Sequence, residues 1–163
     1  MRISRSWLSD YVEFDDLSNA DFEDLITTKV AEAEGLEILG TPLEKAVVAL
    51  VKQVSRHPKR ENLAVVQIAA GTAETTVVCG APNVREGMLT MFVPPGGVIK
   101  PLGGSALVSV DAREVGGVQS HGVLVSEAEL EIGGDESGIL ELGATLGAKP
   151  GEPLSKFVGG PDA

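Results

Sequence analysis

Four cations and a histidine fall within nine residues: Lys52, Arg56, His57, Lys59 and Arg60, with Pro58 between. Lysine and arginine at that density can neutralise phosphates, and an imidazole beside them can stack or hydrogen-bond, so the chemistry on offer is the holding of a polyanion. An ordinary solvated turn also collects charges, and spacing alone leaves both readings open. A second stretch, Thr76 to Val84, runs from an apolar strand into a forced turn. Gly80 admits positive φ, Pro82 fixes its own φ and pushes Ala81 into an extended conformation, and Asn83 tolerates the left-handed region. Such a turn displays Asn83 and the nearby Arg85 at the end of a buried strand, a place where binding residues are often presented.

Other chemistries find little support. Cys79 with His57 or His121 as base could be a nucleophile, but a lone cysteine in an apolar strand serves as a small core residue. Two histidines and one cysteine at scattered positions make no zinc spacing. Asp10, Glu13, Asp15, Asp16, Asp21, Glu23 and Asp24 lack the alternation and glycine of a calcium loop and read as a solvated face. No Gly-Lys-Ser/Thr phosphate loop occurs. The expectation is therefore no catalytic residue and no metal site.

The elements that must position the basic run are short. The 163 residues include 20 glycines and 9 prolines, with aromatics at only 4%, so the core must be built from Val, Leu, Ile and Ala around many turns. Ser18 caps a helix expected from Asn19 to Thr28, with Asp21 at its third position. Arg2 to Leu8 reads as a strand passing into a short helical turn around Trp7 and Tyr11, and Val30 to Leu39 as a strand closed by Gly40-Thr41-Pro42. Ala46 to Val54 is a buried strand delivering Lys52 to Arg60 into a loop. Further strands are expected at Leu63–Ala70, Thr75–Cys79, Leu89–Val93, Ala106–Val110 and Gly122–Val125, which together suggest a small closed barrel. After Ser126 come a helical turn over Glu127–Glu131 and a short strand over Gly138–Leu142. Gly159 to Ala163 reads as a flexible end.

Charge divides the chain in the same way. Residues 1–39 carry −7 and residues 126–163 carry −6, whereas residues 40–125 carry +2, against a total of −11. The two acidic flanks are each poor in apolar residues, so they are expected to pack together as one small unit with the barrel inserted between them. One cysteine cannot form an internal disulfide, and there is no secretory segment near Met1 and no apolar run of membrane length, so the expected location is the cytoplasm.

Taken together, five stretches resemble one family. They are Met1 to Val12, His57-Pro58 through Leu63, Val78 to Val84, Gly117-Val118-Gln119-Ser120-His121-Gly122-Val123-Leu124, and Gly138 to Leu142. In that order they are similar to the N-terminal part of the β subunit of bacterial phenylalanine–tRNA ligase. The resemblance implies a mixed α+β chain with mainly β content: an oligonucleotide-binding (OB-fold) barrel over residues 40–150, inserted into a small α+β domain. Residues 1–39 form the first part of that domain and 151–163 the second, with 126–150 able to pack against the flanks.

It also implies a role in phenylalanyl-tRNA formation, either as an auxiliary tRNA contact or as a structural and docking module. A free-standing tRNA-binding barrel is the third reading. The tRNA-facing residues would be Lys52, Arg56, His57, Lys59, Arg60, Asn83, Arg85, Ser120 and His121. Partners would be tRNA, the rest of the β subunit and the α subunit, with neither DNA nor membrane. ATP and magnesium would serve other parts of the full ligase, this fragment needing no cofactor and catalysing nothing alone. Two departures from the family pattern, Asn62 and Gly116, remove positive charge from this face.

Overall fold

A computed structural model of the chain describes residues 4–13, 16–33, 35 and 41–158. It falls into two compact units, Met1–Leu39 with Pro161–Ala163, and Gly40–Gly160. In the first, Ser4 caps α1 (Arg5–Ser9) by accepting the Trp7 N–H, and Ser18 caps α2 (Asn19–Lys29) by accepting the Asp21 N–H. The second cap falls where expected. The first gives the expected helical turn around Trp7 and Leu8 and begins it at Arg5, because the Ser4 hydroxyl satisfies an amide that a strand would have needed to pair, while Arg2 and Ile3 of the expected opening strand lie outside the described residues. Arg5 ties the two helices through Asn19 at 2.5 Å and through its guanidinium over the Phe22 ring. Val30 to Ala33 and Gly35 are not strand, and the other residues of that expected element, Leu36 and Ile38 among them, lie outside the described residues, as does the expected flexible end.

The larger unit opens on a 3-10 turn, Thr41–Leu43. It continues through β1 (Val47–Arg56), β2 (Ala64–Ala70), β3 (Ala73–Cys79), β4 (Leu89–Val93), β5 (Val98–Ile99), β6 (Val108–Ser109), β7 (Arg113–Val115), β8 (Val118–Ser120) and β9 (Val123–Leu124). A second 3-10 turn, Ala144–Leu146, and the short helix α3 (Ser155–Val158) complete it. The main sheet is antiparallel with order β3-β2-β1-β4-β9. The β3 edge is tied to the segment between β8 and β9, where the His121 N–H donates to Thr76 O at 3.0 Å and the Val78 N–H to Ser120 Oγ at 2.9 Å, so the sheet curls into a mainly β, OB-like half-barrel.

β1 makes this curl possible. Its pairing with β2 slips by one residue between Val51 and Gln53, leaving Lys52 as a bulge. The bulge is written in the sequence: Ala49 and Val51 face inward, the polar pair Lys52-Gln53 interrupts the alternation, and Val54 resumes the inward side.

Two cores result. Ala49, Val51, Val66, Ile68, Val77, Cys79, Phe92 and Leu124 fill the barrel. On the other face of β1, β4 and β9, Val48, Met91, Val93 and Val125 pack against Leu43, Val110, Leu130, Ala148 and Leu154. Leu130 and Leu154, both from the acidic segment 126–163, are core residues of the Gly40–Gly160 unit. The expected strand at Gly138–Leu142 reduces to one bridge, Glu141 to Thr90, and Glu127–Glu131 is a turn. Among the described residues no helix is long and apolar enough to cross a membrane.

Candidate nucleic-acid interface

The second core leaves one sheet face bare. Outward rows cross β1, β2 and β3 as Ser55–Val65–Val78 and Gln53–Gln67–Thr76, small and polar side chains at or near the surface. The aromatic rings of this unit are only Phe92, buried in the barrel, and Phe157, packed on the second core. No Phe, Tyr or Trp ring is therefore present on the bare face, so contact with a nucleic acid would rest chiefly on phosphate and ribose.

The cations run from the bulge of β1 to the turn at its end. Arg56 ends β1, Lys59 and Arg60 occupy the loop to β2, and Lys52 stands on the bulge, all four exposed. The expectation of one basic loop is corrected in part: Lys52 and Arg56 are held on the strand, and only Lys59 and Arg60 are on the turn. Across from the turn lies the hairpin of β7 and β8, which adds the exposed Arg113. Sequence reasoning missed that residue; its only signal was a cation two residues before Val115-Gly116-Gly117-Val118. Among the described residues, none of Lys52, Arg56, Lys59, Arg60 and Arg113 is in a salt bridge, whereas Arg85 pairs with Glu141, Lys100 with Glu131 and Lys156 with Glu152. Glu61 and Glu114 are the acids nearest in sequence to the rim cations and are exposed beside them.

The remaining sequence-derived residues divide sharply. His57 is 4% exposed. Its Nδ1 accepts the Lys59 N–H at 3.1 Å, which assigns the ring proton to Nε2, and Nε2 donates to Val115 O at 2.8 Å. It therefore ties the loop to the hairpin and is not displayed for stacking. Ser120 is 3% exposed, accepts from Val78 N and donates to Gly122 O at 3.0 Å, closing the barrel. Asn83 spends its side chain on the backbone of Ile139, donating to its O at 2.8 Å and accepting its N–H at 3.0 Å. Arg85 lies against Glu141, and its neighbour Glu86 accepts the Val54 N–H on β1 at 3.2 Å. His121 is exposed, and its backbone joins it to Thr76 on the outer row of the bare face.

Cys79 sits in the barrel core at 7% exposure. Burial pushes its thiol up from the ordinary range, the Ala81 N–H to its Sγ pulls it partly back, and the Glu129 carboxylate adds to the rise, so it is a poor nucleophile. No group of His, Cys, Asp and Glu that could hold a metal ion occurs among the described residues.

Comparison with known proteins points the same way. Residues 46–152 match the family described as "Putative tRNA binding domain". The chain is 40% identical over 147 residues to the phenylalanine–tRNA ligase beta subunit of Solibacter usitatus, covering 90% of this chain and 17% of that one. It is 36% identical to the corresponding subunit of Rhodopseudomonas palustris, covering 88% and 18%. With that of Xanthomonas campestris it is 35% identical, covering 100% and 20%. The chain thus spans a fifth or less of the length of these relatives. An OB-like barrel with a bare face, a rim of unpaired cations, and a match over 46–152 place this chain in the tRNA-binding domain family, in the form found in phenylalanine–tRNA ligase beta subunits.

Proposed function

We propose that the chain contacts tRNA through the rim formed by Lys52, Arg56, Lys59, Arg60 and Arg113, with His121 at its margin, as an auxiliary surface in phenylalanyl-tRNA formation. One observation carries this: the rim cations lack protein partners among the described residues, while Arg85, Lys100 and Lys156 have them. Unpaired cations beside a face without Phe, Tyr or Trp rings favour the sugar–phosphate backbone over unpaired bases. No cofactor is needed for such a contact. In this reading the chain works in the cytoplasm alongside the other parts of a ligase, an α subunit among them, and ATP and magnesium belong to the ligation step rather than to this surface.

Three to five neutralised phosphates give a slope of about −0.9 per phosphate in log affinity against log salt, a loss of roughly 40- to 500-fold between about 50 and 200 mM. Fluorescence anisotropy of bulk tRNA at those two salt concentrations measures it. The double substitution Arg56→Glu and Lys59→Glu is expected to abolish binding. Unchanged binding by that variant would remove the rim from the contact.

The N-terminal segment supports a second role. Trp7, Tyr11, Val12 and Val30 are exposed in a segment carrying −7, and Trp7 and Tyr11 stack edge to face at 5.6 Å between centroids. An acidic surface with an amphipathic aromatic pair suits a basic protein partner better than RNA. The expected outcome is capture of the remainder of a phenylalanine–tRNA ligase by this chain in a pull-down, weakened by Trp7→Ala; no capture at low salt would count against docking.

A further inference from the structure

We infer that His57, although buried away from any ligand, is the positioning residue that makes the two arms of the basic rim a single surface; this rests on the tRNA-contact reading above. The rim has two separate supports. Lys59 and Arg60 ride on the β1–β2 loop, and Arg113 rides on the β7–β8 hairpin, more than 50 residues further along the chain. The imidazole is the bond between them: Nδ1 holds the loop at Lys59 N and Nε2 holds the hairpin at Val115 O.

The hairpin turn is shaped to receive it. Gly116 and Gly117 have φ of +58° and +92°, the two left-handed residues of a type I′ turn. A Cβ on Gly116 would lie 2.7 Å from His57 Cε1, and one on Gly117 would lie 3.3 Å from Lys59 Nζ. Gly116 is thus required twice, for its backbone and for the space the ring fills.

Holding both arms before a ligand arrives removes ordering entropy from binding. Cutting the tie should weaken affinity without removing a cation. In the full chain, His57→Ala is expected to bind bulk tRNA roughly tenfold more weakly, the scale of a lost buried hydrogen-bonded link. The slope of affinity against salt should stay within about one phosphate of the parent's. His57→Gln places an amide near the Nε2 position and can still donate to Val115 O, so it should recover binding to within about threefold, whereas His57→Asn retains only the bond to Lys59 and should behave as the alanine variant. Gly116→Ala attacks the same contact from the hairpin side and should reproduce the alanine loss.

Amide spectra of each variant monitor the fold. Binding by His57→Ala and Gly116→Ala equal to the parent's would overturn the positioning role while leaving tRNA contact intact, as would glutamine being no better than alanine. Absence of tRNA binding by the parent at low salt would overturn the contact itself, and with it any role for His57 in positioning.

Discussion

At the scale of single residues, the identities that sequence disclosed best were those whose environment is local. Cys79 read as a core residue because it ends an apolar strand, and it is one. Asn83 and Ser120 read as displayed because they stand in turns, yet each is consumed by a backbone partner far away in sequence, Ile139 for Asn83 and Val78 for Ser120. A polar side chain in a turn announces that it needs hydrogen bonds and not where it will find them. Cys79 also yields a pH dependence. Because the folded thiol titrates above its unfolded value, its contribution is fully present below the unfolded value, about 8.5, and is lost as pH rises through the folded one. The stability advantage of the parent over Cys79→Ala, read from urea midpoints, should therefore shrink between neutral pH and strongly alkaline pH. An advantage that grew with pH would contradict the burial of the thiol.

At the scale of elements, β1 to β4 and α2 were legible almost to the residue, since apolar alternation, the Ser18 cap and the Gly/Pro turns all agree. The start of α1 was not, because one hydroxyl at Ser4 decides whether Arg5 and Ser6 continue a strand or open the helix around Trp7. Nor was Gly138–Leu142, where Leu140 and Leu142 do donate to Val125 O and Leu89 O but only Glu141 completes a bridge. A contact between turns was wholly hidden. Gly151 has φ +91°, and a Cβ there would stand 2.7 Å from Gly71 Cα and 2.9 Å from Gly71 N, so the C-terminal segment crosses the β2–β3 turn backbone against backbone. Backbone cannot swing aside as a side chain can. Gly151→Ala should cost about 2–4 kcal/mol, combining left-handed strain with the forced separation of the two turns. The urea midpoint measures this, and a loss under about 1 kcal/mol would mean that the segment lifts away freely.

At the scale of the whole molecule, the partition of charge was the most informative number in the sequence. It marked residues 40–125 as the part able to approach a polyanion although the chain as a whole carries −11. What it could not reveal was the long-range stitching: His57 to Val115, Asn83 to Ile139 and Gly71 against Gly151 all join segments more than 50 residues apart, and nothing local in the chain encodes such pairings. The two cores carry a consequence for how this protein breathes. β4 and the first half of β1 have packed side chains on both faces, while β2 and β3 are covered on one. Amide protons of β4 can then meet deuterated solvent only when the entire unit unfolds, whereas the β2–β3 hairpin can open by itself at a smaller free energy. The proposed binding face is thus also the most readily loosened part of the sheet, and a ligand that bridges it to the rim would be felt first as slower exchange along β2 and β3.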